Sequence, residues 1–449
     1  MTTLLERAKG SALDIVTNND APLGAIALLS PHVQQIRYLK FSSNHWAHIL
    51  AFSQANPGPL PLLRSLQICI DRRHIPRIGQ FNLSAAPSLP LFSGAVNLEE
   101  FVFDSNWGSK RAGSLNNFAF PKLTTCRLSV SLPGGFNASD LFDFLKASPT
   151  LRTVKVGITG NVISRDIPQE MVIVLPNVET FSLLVLDSQR IPNLAHISCP
   201  NAKYTSLFHQ ICEDQMIPRL ELFPAPGSWK AITRQYSTSP VEEVTLEITY
   251  RQPCAFITFS LTFQSSDGTV IRLDVGVSNT EWPYEELYLS QSEINHEIFF
   301  QACRTIQGHP LLSHVKRLHI KDRTGSLGAV STLPMLGAGV IGELFSSLGP
   351  LDEFTIYGCR AWIFFAPFID LPEFRSLERV LPAVKLIASD SWMLSAQLYR
   401  DSIVELAKSQ YELGVPFERM MIHEDWICAA TVERLSQWVG AVEWESRKR

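Results

Sequence analysis

Apolar residues recur along the chain in the form apolar-x-x-apolar-x-apolar. The form reads Ile36, Leu39, Phe41 in "HVQQIRYLKF", Leu63, Leu66, Ile68 in "LPLLRSLQI" and Leu98, Phe101, Phe103 in "AVNLEEFVF". It continues as Leu123, Cys126, Leu128, then Leu151, Val154, Val156, then Val178, Phe181, Leu183. First positions are separated by 27, 35, 25, 28 and 27 residues. Most of these steps fall within the ~20–29-residue period of leucine-rich repeats, with one insertion. Residues two apart on a strand share a face, so the last two positions of each triplet point inward together. The first enters from the preceding turn, and Pro61, Pro121, Pro149 and Pro176 stand just before it. Proline ends a helix and favours an extended approach to the strand.

A leucine-rich repeat also calls for Asn or Cys three residues after the last apolar position. That position holds Asn44, Asp71, Asn106, Ser131, Thr159 and Leu186, so the repeats are irregular and no smooth asparagine ladder is expected. Between strands, "ASDLFDFLKASP" predicts a short helix, capped by Ser139 or Asp140, with Leu141, Phe142 and Leu145 as its apolar stripe. The expected fold is therefore α/β: an irregular leucine-rich-repeat-like solenoid with parallel strands inside and short helices and loops outside.

The rhythm breaks in the middle. "PVEEVTLEITY" is strand-like, and "CAFITFSLTFQSSDGTVIRLDVGV" predicts a long hairpin. One arm alternates Ile257, Phe259, Leu261, Phe263; the other alternates Ile271, Leu273, Val275, Val277; Ser265 to Gly268 supplies the turn. The repeat resumes at Val315, Leu318, Ile320 and at Leu351, Phe354, Ile356, with Cys359 in the Asn/Cys position. The expected organisation is an N-terminal array over 1–240, a strand-rich hairpin insertion over 241–300, and a C-terminal array with its closing cap over 301–449, as one continuous solenoid.

Composition narrows the function classes. Of 449 residues 45% are apolar and 18% charged, values of a folded chain. A net charge of −4 and the absence of a basic stripe give no reason to expect nucleic acid. The N-terminus lacks the apolar core of a secretory signal, and no apolar run reaches membrane-spanning length, so no membrane partner is expected. The eight cysteines are scattered without a C-x-x-C pair, which argues for buried thiols in a reducing cytoplasmic or nuclear compartment over zinc sites or a disulfide framework. The Asn-x-Ser spellings at Asn82 and Asn137 then have no secretory route to glycosylation.

Catalytic spellings are few. Gly337, Gly339 and Gly342 in "GAGVIG" match a dinucleotide loop, and an oxidoreductase using them is the first alternative reading. Such a loop needs a buried strand before it and an acid about 20 residues onward. Pro334 interrupts the first, and "EFTIYGCR" ends without a carboxylate. A helical stripe of Ile341, Leu344, Phe345 and Leu348 leading into the Leu351 repeat accounts for the segment better, so no cofactor is expected. His423-Glu424 lacks the second histidine of a zinc protease, and His45 with His48 lacks a third ligand, so no metal is expected either. There is no catalytic-residue constellation to name.

Four stretches resemble the F-box and leucine-rich-repeat-like proteins of mushroom-forming fungi. "LLERAKGSALDIVT" is similar to the segment that follows their F-box, and "SPHVQQIRYLKFSSNHW" to their first repeat. "IVELAKSQYELGVPFERMMIH" and "VERLSQWVGAVEWES" resemble their closing pattern: helix, Gly-x-Pro turn at Gly414 and Pro416, strand, helix, and Val439, Val442, Trp444. The resemblance implies a substrate adaptor of a cullin-type ubiquitin ligase. Residue 1 stands where the F-box would already have ended, so docking of a Skp-type adaptor or cullin is not expected of the sequence as written.

The expected function is a non-enzymatic protein-interaction module with an unidentified protein target. Its partner-contacting residues are expected to lie between the inward strand positions, at Lys40, Gln67, Asp104, Arg127 and Lys155. A structural or self-associating repeat protein is the second alternative.

Overall fold

In a computed structural model, the described residues are 10–18, 22, 24–25, 28–43, 47–55, 58–70, 94–105, 120–131, 136–159, 162–163, 173–186, 197–212, 239–251, 256–278, 313–323, 348, 351–357, 383–387, 396–423 and 428–444. Those up to His209 and those from Gln210 onward form two compact units. The chain is α/β and its sheet is mostly parallel.

The first unit contains β1 (Leu13–Thr17), β2 (Ile36–Ser43), β3 (Ser65–Ile70), β4 (Glu100–Ser105), β5 (Thr125–Ser131), β6 (Phe136–Asn137), β7 (Thr153–Thr159), β8 (Val162–Ile163), β9 (Ile173–Val174), β10 (Thr180–Leu186), β11 (Ile197–Ser198) and the start of β12 (Tyr204–Cys212). Sheet order is β1-β2-β3-β4-β5-β7-β10-β12, and every pair from β1 to β10 is parallel. Two further parallel pairs, β6 with β8 and β9 with β11, link successive connections.

The register aligns the apolar triplets of neighbouring repeats. Leu39, Leu66, Phe101, Cys126, Val154 and Phe181 form one inward row. Phe41, Ile68, Phe103, Leu128, Val156 and Leu183 form the next. Both rows and all six first positions, Ile36 through Val178, are buried. Burying each such side chain is worth roughly 1.5–3 kcal/mol, which is why the register cannot slip by one residue. The triplet expected from the sequence is thus the core of this unit.

Helix α1 (Ala47–Ala55) packs Phe52 edge-on against Phe41 at 5.6 Å. Helix α2 (Ala138–Lys146) buries Leu141, Phe144 and Leu145. Phe144 joins Phe101 and Phe120, with ring centroids 5.8 to 6.5 Å apart. The expected helix is present, and Phe144, three residues from Leu141 on the same face, joins Leu141 and Leu145 in its apolar stripe.

Six strands of the sheet, β3, β4, β5, β7, β10 and β12, are entered through the same turn. The N–H groups of Leu63, Leu98, Leu123, Leu151, Val178 and Ala202 donate to the carbonyls of Leu60, Ala95, Phe120, Ser148, Leu175 and Cys199. Proline fills the second position in five of these turns, at 61, 121, 149, 176 and 200, where its fixed φ suits a type I or II geometry.

A stack of side chains ties these turns together. The Asn97 amide donates to Pro61 O at 2.7 Å, Asn177 to Pro149 O at 3.0 Å, and Asn201 to Pro176 O at 2.7 Å. The Thr150 hydroxyl lies 2.9 Å from both Pro121 O and Leu123 O. Just after each turn, one carbonyl accepts two N–H groups of the next repeat: Arg64 O from Glu99 and Glu100, Glu99 O from Thr124 and Thr125, Thr124 O from Arg152 and Thr153.

The second unit contains β13 (Val241–Arg251), β14 (Phe256–Ser265), β15 (Val270–Ser278), β16 (Arg317–Arg323), β17 (Glu353–Tyr357), β18 (Ala383–Ile387), β19 (Arg419–His423) and β20 (Ala441–Trp444), with helices α3 (Ala396–Glu412) and α4 (Ala429–Leu435). Order is β15-β14-β13-β16-β17-β18-β19-β20. The β14–β15 and β13–β14 pairs are antiparallel and the others parallel. Val241, Val244 and Leu246, after Pro240, repeat the apolar triplet and are buried. The hairpin is therefore attached to a strand that itself carries the repeat spelling.

The hairpin turn falls where the sequence placed it. Gly268 has φ 81° and its N–H donates to Ser265 O at 3.0 Å. The Asp267 carboxylate accepts from the Ser265 hydroxyl and from Thr269 N–H at 2.9 Å, and these bonds hold it well below the usual carboxylate range.

The closing pattern also forms as expected. Helix α3 ends at Gly414, φ 78°, where Val415 N–H donates to Gln410 O and Gly414 N–H to Tyr411 O, the two bonds of a Schellman cap. Phe417, Met420 and Ile422 around β19 are buried, and so is Val439 before β20. Trp444 at the sheet edge remains partly exposed.

Candidate partner-binding face

On a parallel strand, the residues between the buried positions stand on the opposite face. In the first unit the register sets Lys40 beside Gln67, Gln67 beside Val102, Val102 beside Arg127, Arg127 beside Lys155, and Lys155 beside Ser182. Four of the five residues expected from the sequence, Lys40, Gln67, Arg127 and Lys155, therefore lie in one row. Asp104 stands two residues further along β4, between Cys69 and Ser129. Val102 occupies the row position on that strand.

Hydroxyls dominate the neighbouring outward row, Tyr38, Ser65, Glu100, Thr125, Thr153 and Thr180. Within it the Ser65 hydroxyl donates to Glu100 Oε2 at 2.6 Å. At the strand entrances, three exposed ion pairs join residues of adjacent repeats. Arg37 Nη2 lies 2.8 Å from Asp14, Arg64 Nη1 3.6 Å from Glu99, and Arg152 Nη1 4.0 Å from Glu179. These pairs are exposed and screened by solvent, so they add little to stability, but they show how the array neutralises charge along its rim.

The second unit presents a denser polar face. The register aligns Glu243 with Arg317 and Glu353, and Thr245 with His319 and Thr355. Arg317 Nε lies 3.3 Å and His319 Nε2 3.5 Å from the two oxygens of Glu243. Burial lowers the His319 pKa despite the pull of Glu243 and Glu353, with Lys321 and Arg317 also lowering it. On the hairpin, Arg272 Nε lies 2.9 Å from both oxygens of Asp274, and Arg272 Nη2 donates to Ser260 Oγ at 3.1 Å. Asp274 and Ser260 are buried. Sequence reading did not single out these residues, although "VEEVTLE" and "RLHIK" alternate apolar and polar positions in a way that locates them.

Among the described residues no group of three or more His, Cys, Asp or Glu side chains could hold a metal ion. His48 is buried in α1, and His423 ends β19. Gly337, Gly339 and Gly342, along with His45, Glu424 and Cys359, lie outside the described residues. No described helix is long and apolar enough to cross a membrane. Cys69, Cys126, Cys199 and Cys428 are free; Cys126 and Cys199 are buried as expected, whereas Cys69 is half-buried and Cys428 is exposed.

No family model matches the chain, and no curated protein matches it. Among solved structures, the chain has a likeness to InlP of Listeria monocytogenes at 12% identity and a TM-score of 0.21, over 60% of this chain and 88% of that one.

Proposed function

We propose that the chain is a non-enzymatic protein-interaction module: an irregular leucine-rich-repeat-like solenoid that reads a protein partner with the outward face of its parallel strands. The observation that carries this reading is the in-register row from Lys40 to Ser182. The flanking inward rows are spent on the core, while Gln67, Arg127 and Lys155 engage no side-chain hydrogen bond or ion pair among the described residues. Side chains aligned at the ~4.8 Å strand spacing form a flat, rigid and chemically mixed surface. Such a surface suits recognition distributed over many contacts. The resemblance noted in the sequence extends the proposal to the substrate-recognition part of an F-box ubiquitin-ligase adaptor, acting in the cytoplasm or nucleus.

The test places bulk on the row without touching the core. Gln67→Arg and Ser182→Trp should leave the unfolding midpoint in place and abolish recovery of the partner in affinity capture. Retention of the same partner by both variants would overturn the strand-face reading. Recovery of that partner with no Skp-type adaptor or cullin would remove the ligase role and leave the binding role.

A further inference from the structure

Arg127 and Lys155 are Cα register partners on β5 and β7, so two cations stand side by side on the outward face. Both are exposed, and neither side chain has a hydrogen bond or an ion pair among the described residues. Like charges directly opposite one another on neighbouring strands destabilise a sheet. At the strand entrances Arg37 and Arg64 also neighbour one another, but each has an acid of its own, Asp14 and Glu99, as Arg152 has Glu179. The second unit does the same at Arg419 with Glu443, 2.7 Å apart. The Arg127–Lys155 pair departs from that pattern in the middle of the candidate row.

Its surroundings indicate which anion fits. Thr125, Thr153 and Ser129 flank the two cations along their strands, and Gly157 carries no side chain beside Ser129. The backbone on both sides is committed to the sheet, because β5 is paired with β4 and β7, and β7 with β5 and β10. Phosphate sites ordinarily draw on free backbone N–H groups at helix starts or nests. A carboxylate needs only the two cations and a hydroxyl donor.

We propose that Arg127 and Lys155 form the anchor for an acidic segment of the protein partner, one carboxylate bridging the two cations, with Thr125 and Thr153 as supporting donors. This rests on the strand-face reading and names the chemistry of its partner. The pair is kept at a cost in stability that the bound carboxylate relieves.

The test uses an eight-residue fluorescent peptide alternating glutamate and serine, its glutamine counterpart, and inorganic phosphate as a competitor. The full chain should bind the glutamate peptide in a salt-sensitive manner and bind the glutamine peptide at least about tenfold more weakly. Lys155→Glu should lose the glutamate peptide by a similar factor and raise the unfolding midpoint, since it replaces repulsion with attraction. Lys155→Gln and Arg127→Gln should each weaken binding without lowering the midpoint. Equal binding of the two peptides overturns the proposal, as does unchanged binding by the Lys155 variants or displacement of the peptide by phosphate at lower concentration than by free glutamate peptide. Partner capture that survives Lys155→Glu yet is lost in Gln67→Arg would sink this inference alone. Capture that survives both would sink the strand-face reading beneath it.

Discussion

The Asn177 side-chain amide donates to Pro149 O at 3.0 Å, joining the turn of one repeat to the turn before it. Asn201 makes the same bond to Pro176 O at 2.7 Å. Asn97 does so to Pro61 O at 2.7 Å, while its own Oδ1 accepts from Lys122 Nζ at 2.7 Å. Each bond is partly exposed, so losing one costs a net hydrogen bond and not a buried orphan. Asn177→Ala and Asn201→Ala should each lower stability by about 0.5–1.5 kcal/mol. Denaturant titration should show a shifted midpoint with an unchanged slope. No shift in either variant would mean that the stack follows from the turns without supporting them.

Ser148 opens a turn whose equivalents are Leu60, Ala95, Phe120, Leu175 and Cys199, all apolar and buried. The Ser148 side chain is also buried, and its Oγ has no hydrogen-bond partner among the described residues. An unmet buried hydroxyl costs roughly 1–3 kcal/mol. Ser148→Ala should therefore raise stability by about 1 kcal/mol, seen as a higher midpoint in the same titration. A loss of stability would contradict this account of the turn column.

His319 gives the second unit a pH dependence of definite sign. Burial holds its folded pKa below the ordinary imidazole value, so the unfolded chain binds the proton more readily. Its contribution to stability is full above the unfolded pKa of ~6.5 and is lost as pH falls through the lower folded value. Melting curves from pH 8 to pH 5 should show the parent losing stability on acidification. His319→Gln should flatten that slope, because it removes the titrating group beside Glu243, Arg317, Lys321 and Glu353. A slope identical in both proteins would contradict the assignment.

Cys428 differs from the other described thiols. A bond to the Thr431 hydroxyl, with Sγ and Oγ1 3.4 Å apart, and the Thr431 and Ala430 backbone bring its pKa down to about 7, with Arg400 Nη1 at 3.8 Å adding to the effect. Burial pushes Cys199 up to about 12 and raises Cys126 and Cys69 as well. Thiolate fraction sets alkylation rate, so iodoacetamide at pH 7.5 should label Cys428 first of these four in peptide mass spectrometry. Thr431→Val should slow that labelling. Faster labelling of Cys69 would contradict the prediction.

Much of the array is legible in the sequence because burial has a period. Leu39, Phe41 and their equivalents had to be apolar two residues apart, and Leu63, Leu98 and Leu123 had to follow a turn. The hairpin was legible in the same way, since Phe259 and Leu261 oppose Val275 and Leu273 at period two. The inter-repeat stack was not. The Asn/Cys positions Asn44, Asp71 and Asn106 of the repeat spelling lie outside the described residues, and the bonds that are described form before the strand, at Asn97, Thr150, Asn177 and Asn201. Each joins residues 25 to 36 positions apart, a distance that no local pattern reports.

Asp104 is different, because it lies past Phe103 and not between the inward positions Phe101 and Phe103. Val102 takes the row position, because Phe101 and Phe103 on either side of it are the buried residues. The repeat at Ala202, Thr205 and Leu207 escaped notice for another reason. All three are buried, but alanine and threonine are too small or too polar to register as an apolar spelling. The His319 cluster depends on three strands separated by long connections, so its members become neighbours only through the sheet.

The central claim is that the outward strand row is the partner face. A photo-crosslinking residue introduced singly at Gln67, Val102 or Ser182, and at the exposed turn positions Leu62 and Pro200 as controls, tests it most directly. The account predicts a crosslinked partner of one mass from all three row positions and none from the turn positions. Crosslinks from Leu62 and Pro200 with none from Gln67, Val102 or Ser182 would contradict it.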